Sequence, residues 1–291
     1  MQVQILSGGP LSKRYIMRWI VQNGFKVDKA YQEFLDNLDR MDIDVQHIKT
    51  IPFSDETDPP LPDNLTNVIC FGSIGLGRIA RKKNWTPGIF FNENFDMRQT
   101  LAAYVDDVFN SHGSLTSPIG IVSPAMLEHV DDAFFIRPVA DDKCFCGQVI
   151  TKEEFFNWQK AVIKLDTEYT QLGKDNYVTV TAETVIQISP VKEIMAEYRF
   201  LVVDKEVVTG SRYKARHRQL IQLPFDKIDD YIIQYARDRA MQYQPDRAFV
   251  LDVAIDEDGN PKILELGCIN ACGFYSADTQ KLIDAIENMV W

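Results

Sequence analysis

A chain of 291 residues, 45% of them hydrophobic, holds enough apolar side chain for one large domain or two or three small lobes and needs no staple to fold. Its net charge of -11 excludes a broad nucleic-acid groove, because neutralising phosphates takes clustered Lys and Arg. No run approaches the ~20 apolar residues of a membrane span and MQVQILSGGP has no signal-peptide pattern; five cysteines, an odd number, argue against a disulfide framework and for the cytoplasm.

From the N-terminus, short apolar runs alternate with helical patterns: VQIL, an amphipathic segment from Ser12 to Asn23, a second near Lys29 to Leu38, NVICFG, and GIFF. This rhythm predicts a small α/β domain over residues 1–125. Within it, FGSIGLGRIARK places Gly75, Gly77 and Ala80 in the order G-x-G-x-x-A after an apolar run, with Glu93 eighteen positions beyond Gly75. That is the outline of a dinucleotide-binding turn, and a nicotinamide-dependent dehydrogenase is the activity it suggests. Gly72 and Ser73 interrupt the preceding strand, however, and none of the four His has a visible acid partner. The glycines read better as a turn that offers Ser73 and Arg78 to an acceptor substrate.

The Pro-, Ser- and Gly-rich SLTSPIGIVSP, Ser114 to Pro124, marks the junction to a second domain over 126–291, divided into a small lobe at 126–185 and a larger one at 186–291. The small lobe reads strand (AFFIRPV), polar loop (ADDKCFCG), strand (QVI) and a helix from Thr151 to about Leu165, opened by a Thr151/Glu154 capping box. Strands follow at YVTVT, TVIQIS, YRFLVVD and EVVTGSRY, then a helix from Ile228 to Tyr243, a hairpin from Phe249 to Leu266 and a last helix from Ala277 to Val290. Phe134, Phe145, Tyr198 and Tyr213 read as core and cleft lining rather than a base-stacking platform.

The hairpin FVLDVAIDEDGNPKILELG carries the first chemical signal. A two-residue type I′ turn on Asp258 and Gly259 places Asp252 directly opposite Glu265. Two carboxylates so placed repel unless a cation sits between them, and all-oxygen ligands suit Mg²⁺ or Mn²⁺. Asn270 offers a third oxygen. A longer or shifted turn sends one carboxylate to solvent instead.

Upstream, Glu197 and Arg199 alternate onto one strand face, and the basic cluster SRYKARHR follows with Arg212 and Lys214. In IRPVADDKCFCG, Arg137 on a strand and Lys143 in a glycine-closed loop suit phosphate oxygens. Cys144, Cys146, Cys268 and Cys272 make four thiols in two loops, for which a zinc site is the less favoured reading beside ordinary buried thiols.

In this order, Arg137, the Lys143 loop, the strand Val185 to Ser189, Glu197-x-Arg199, a basic loop, Asp252 and Glu265 resemble the ATP-grasp superfamily. IQISPVKEIMAEYRFLVVDKEVV is similar to bacterial glutathione synthetases, and the C-terminal half most resembles a poorly characterised, often phage-encoded ATP-grasp branch, which would place the protein in a host cytoplasm. The resemblance covers residues 130–291 well and the rest loosely. It implies two α+β lobes gripping ATP behind a small N-terminal α/β domain. By that resemblance the backbone at Gln187, Ile188 and Ser189 meets adenine, Glu197 the ribose, and Arg137 and Lys143 the phosphates. Asp252, Glu265 and Asn270 hold Mg²⁺ or Mn²⁺, and Arg199, Arg212 and Lys214 serve the transferring phosphoryl group.

Two departures stand out. Arg137 replaces the family's usual Lys, and the usual Glu-x-Asn has Gly267 where Asn is expected, with Asn270 three residues on. The implied reaction is ATP-dependent joining of a carboxylate to an amine or thiol through an acyl phosphate, on small-molecule substrates such as an amino acid or peptide. It asks for positioning and charge neutralisation rather than a nucleophilic side chain. A nucleotide-binding protein without turnover is the second reading, suggested by the displaced Asn270.

Overall fold

The computed structural model describes residues 17–52, 54–141, 144–171, 179–216 and 222–289. The VQIL run and Lys143 lie outside these. Two compact units are described: residues up to Lys26 with Leu38–Ile89, and Val27–Asn37 with the chain from Phe90 onward.

Trp19, Ile20 and Val21 are consecutive and all buried, a pattern that suits a strand covered on both faces. They form β1 (Arg18–Gln22), not the expected end of a helix from Ser12, because burial on both sides favours the extended chain. The chain continues through α1 (Lys29–Arg40), β2 (Asp44–Thr50), β3 (Thr57–Asp58), β4 (Thr66–Phe71), α2 (Ile74–Lys82) and β5 (Thr86–Gly88), a strand that ends where GIFF begins. The sheet order is β3-β2-β1-β4-β5, with β1 parallel to β2 and β4.

The G-x-G-x-x-A stretch lies inside α2, so its glycines do not build the strand-to-helix loop. Gly72 does, and a Cβ there would lie 2.7 Å from Gln22 Cβ. Gly77 admits Ile89 to the helix surface, where a Cβ would lie 3.1 Å from its Cδ1. Ser73 caps the helix, its Oγ accepting from the Leu76 amide and donating to Gln22 Oε1. Arg78 pairs with Asp55 at 3.6 Å. These contacts account for the glycines by packing rather than by a dinucleotide.

The second unit contains α3 (Met97–Tyr104), β6 (Leu115–Pro118), β7 (Ala133–Pro138), β8 (Gln148–Thr151), α4 (Lys152–Gln171), β9 (Val185–Pro190), β10 (Ala196–Val203), β11 (Glu206–Ala215), β12 (Leu223–Pro224), α5 (Asp230–Gln242), β13 (Ala248–Ile255), β14 (Pro261–Cys268) and α6 (Thr279–Glu287). The Pro- and Ser-rich stretch at 114–124 is more than a connection: its first part is β6, antiparallel to β9. Of YVTVT, Tyr177 and Val178 lie outside the described residues, and Thr179 and Val180 form a bend and Thr181 irregular chain rather than a strand; the Thr181 amide donates to Thr184 Oγ1.

Two antiparallel sheets result, β6-β9-β7-β8 and β12-β11-β10-β13-β14. Period-2 alternation divides each into a core face and a polar face. Phe134, Ile136, Ile186 and Ile188 bury one face of the smaller sheet against Phe155 and Val162 of α4, leaving Arg137, Gln187 and Ser189 on the other. Thr151 opens α4 as predicted, its Oγ accepting from the Glu154 amide while Glu154 accepts from the Thr151 amide at 2.9 Å. In the larger sheet, Tyr198, Phe200, Phe249 and Leu251 pack on Ile232 and Ala236 of α5, so Glu197, Arg199 and Asp252 share the opposite face.

The β13–β14 hairpin corrects the expected turn and keeps its consequence. Asp256 and Asn260 close a three-residue loop with Gly259 at φ +83°, and Asp256 Oδ1 accepts from the Asp258 and Asn260 amides. That loop alone would shift the register by one residue. A bulge at Leu264, between the Val253–Ile263 and Asp252–Glu265 pairs, restores it, and Asp252 does face Glu265.

Candidate active site

Cross-strand partners share a face, and here they draw a polar row across four strands: Ser211 opposite Arg199, Arg199 opposite Asp252, Asp252 opposite Glu265. Arg199 donates from Nε to Asp252 Oδ1 at 2.9 Å and from Nη2 to Oδ2 at 2.6 Å. Its Nη1 donates to the Gly273 carbonyl at 3.3 Å. Glu197, one step along β10, pairs with Lys214 of β11. From the smaller sheet, Arg137 Nη2 donates to Glu265 Oε2 at 2.7 Å. Each hairpin carboxylate thus carries a guanidinium partner, Arg199 on Asp252 and Arg137 on Glu265.

Each expected anion is held by an expected cation: Glu197 by Lys214, Asp252 by Arg199, Glu265 by Arg137. Asp252 is 1% exposed. Burial pushes its carboxyl up to about 6; the Arg199 guanidinium pulls it back, and Glu265 and Glu197 add to the rise. Burial opposes the charge of Arg199, but the adjacent Asp252 carboxylate overcomes that and holds the guanidinium well above its ordinary value.

Arg137 and Gln187 face each other across β7 and β9. β9 runs between β6 and β7, so the backbones of Gln187 and Ile188 have strand partners on both sides, and the side chain of Ile188 belongs to the core. The side chains of Gln187 and Ser189 are what this strand adds to the Arg137 face. Asn270 is buried in the turn after β14, its Oδ1 accepting from the Phe90 amide at 2.8 Å. Arg212 stands apart: it is opposite Tyr198, whose ring packs in the core, on the face away from Arg199. Lys143 lies outside the described residues.

Among the described residues, buried polar atoms without a hydrogen-bond partner occur on Ser111, Arg212 and Arg239, which are not on the Arg137 face, and on three residues that share it: Arg137 Nε, Gln187 Oε1 and Ser189 Oγ. Native proteins leave few such atoms, and their gathering on residues expected to bind a nucleotide is what a ligand-competent site shows. Two facing carboxylates beside phosphate-seeking guanidiniums fit a divalent cation carried with a polyphosphate. The four thiols do not gather: Cys146 is exposed and Cys272 buried, and among the described residues no three His, Cys, Asp or Glu side chains group to hold a metal ion, so the zinc reading is set aside.

Sequence reasoning missed the surroundings of Arg199. Its guanidinium lies over the rings of Tyr213 and Tyr275, at 5.5 and 5.3 Å. The sequence marks Tyr213 only as cleft lining, and nothing local in it draws attention to Tyr275.

The chain matches the family model of an ATP-grasp domain, the third family of its clade, over residues 40–286 and belongs to that family. ATP-grasp ligases use ATP and Mg²⁺. No curated protein matches the sequence. Among solved structures, the D-cycloserine synthetase DcsG is similar at 11% identity and a TM-score of 0.59, over 93% of this chain and 98% of that one. The ATP-grasp ligase PsnB, complexed with a minimal precursor, is similar at 14% and 0.52 over 93% and 98%. The D-alanine–D-alanine ligase of Bacillus anthracis, complexed with ATP, gives 12% and 0.54 over 86% and 85%. At such identities the likeness is one of fold, and it is the ATP-grasp fold that the sequence resemblance implied. Among the described residues no helix is long and apolar enough to cross a membrane.

Proposed function

We propose that this protein is an ATP- and Mg²⁺-dependent ligase joining a carboxylate to an amine or thiol, acting on small molecules or a peptide. The observation that carries this reading is the set of three ion pairs in which Lys214, Arg199 and, from the smaller sheet, Arg137 each hold one carboxylate on the polar face of the larger sheet. A carboxylate oxygen of the substrate attacks the γ-phosphorus of ATP, ADP departs, and the acyl phosphate is attacked by the amine, which loses a proton as phosphate leaves. Arg137, with Lys143, serves the phosphates, Arg199 and Lys214 the transferring group, and Glu197 the ribose. The buried side-chain oxygens of Gln187 and Ser189 serve the base. Asp252 and Glu265 would hold Mg²⁺, or Mn²⁺, which neutralises phosphate oxygens when bound. On this reading, as the sequence resemblance implies, the protein works in the cytoplasm on an amino acid or peptide.

The engagement of Asn270 with the Phe90 amide favours a second reading, nucleotide binding without turnover, because it leaves two carboxylates as the ready metal ligands. A thermal-shift titration separates the main alternatives. A saturable rise with Mg·ATP, abolished by EDTA, is expected; a rise with NAD and none with ATP overturns the ligase reading. Release of ADP on adding amino acids with amines then distinguishes turnover from binding alone.

A further inference from the structure

Arg199 has five N–H donors, of which, among the described residues, Asp252 takes two and Gly273 one, leaving two for a ligand. Beside these three bonds, an aromatic pair packs against the guanidinium. Tyr213 and Tyr275 are stacked with centroids 4.7 Å apart and planes 10° from parallel, and the guanidinium lies over both.

Neither ring arrives there by default. β10 and β11 slip by one residue at Tyr213, so that Glu197 faces Lys214 while Tyr198 faces Arg212. A bulge of this kind re-aims the extra side chain, here onto the Arg199 face. Tyr275 has φ +54°, in the left-handed region that a bulky residue enters at a cost. The loop that holds it there is pinned to β11 twice: Ser211 Oγ accepts from the Ser276 amide at 3.2 Å and Thr209 Oγ1 from the Asp278 amide at 3.0 Å. Both hydroxyls are fully buried. A strained aromatic residue, followed by a segment pinned twice to β11 and with its ring against a cation, is a device for orientation.

We propose that Tyr213 and Tyr275 are positioning residues that fix the plane of the Arg199 guanidinium, so that its two remaining N–H donors meet the terminal phosphoryl group of the nucleotide. The inference rests on the ligase reading for the identity of that group. Tyr275→Gly is the informative variant, because glycine adopts the left-handed backbone freely and the loop can keep its course while the ring is lost. Tyr275→Phe keeps the ring.

Calorimetric titration of the full chain with Mg·AMPPNP and with Mg·ADP gives the first test. Tyr275→Gly should weaken AMPPNP by about tenfold and ADP by less than about twofold, with Tyr275→Phe close to the unaltered protein for both. An unchanged AMPPNP-to-ADP ratio in Tyr275→Gly, or a loss in Tyr275→Phe equal to that in Tyr275→Gly, overturns the proposal. The NMR signal of Arg199 Nε–Hε is a readout that needs no nucleotide: ring-current-shifted and sharp in the unaltered protein, it should move and broaden in Tyr275→Gly. A signal unmoved by the substitution overturns the positioning role whatever the ligand. An unaltered protein that binds neither nucleotide, yet shows the expected NMR change, overturns the ligase reading and the phosphoryl target while the positioning role stands.

Discussion

Arg137 of β7 and Glu265 of β14 join the two sheets of the second unit through an ion pair of 2.7 Å. Each has a proposed ligand of its own, phosphate for the guanidinium and metal for the carboxylate. Each is the other's ion-pair partner, so nucleotide and metal must exchange partners with them.

That exchange has a measurable sign. Glu265→Gln should release Arg137 and tighten metal-free ADP by about three- to tenfold, as a charge-assisted hydrogen bond no longer has to be broken. The same variant should lose the further gain that Mg²⁺ gives the unaltered protein. Arg137→Ala should weaken Mg·ATP by about 1.5 to 3 kcal/mol. Fluorescence titration of a labelled ADP, with and without EDTA, reads both; metal-free affinity that is unchanged by Glu265→Gln would mean that Arg137 does not meet phosphate.

Asp252 gives a pH dependence. Its carboxyl stands at about 6 in the fold against an ordinary value of 3.8, because burial outweighs the pull of Arg199. A folded value raised above the unfolded one contributes stability that is present in full below about pH 4 and is lost as the pH rises through about 6. Asp252→Asn cannot titrate. In EDTA, the melting temperature of the unaltered protein minus that of Asp252→Asn should therefore fall between about pH 4 and 7. A difference that stays level would show Asp252 ionised throughout.

Two glycines should respond for different reasons. A Cβ on Gly210, opposite Phe200, would lie 2.7 Å from the Arg199 carbonyl oxygen and 2.7 Å from Phe200 Cδ1. Backbone cannot yield as a side-chain tip can, so Gly210→Ala should cost about 2 to 3 kcal/mol, several degrees of melting temperature. A Cβ on Gly259 meets nothing within 4 Å, yet φ is +83° there. Gly259→Ala should cost about 1 kcal/mol through the backbone alone. Denaturant midpoints compare the two, and equal losses would refute the distinction.

What the sequence by itself determined was local. Alternation along YRFLVVD and its neighbours set Glu197 and Arg199 on one face, Thr151 and Glu154 wrote the start of α4, and Asp258-Gly259 marked the reversal between β13 and β14. Side-chain period and turn chemistry act within a few residues, so they can be read from spacing. What the tertiary structure decided was register and partnership. The three-residue loop and the bulge at Leu264 each move the pairing by one residue, and only together do they leave Asp252 facing Glu265. β1 was taken into a strand by burial on both faces, β6 by pairing with β9, and Tyr213 was turned beside Arg199 by a slip between strands. Such choices depend on what packs on both sides of a segment, and those neighbours come from distant parts of the chain.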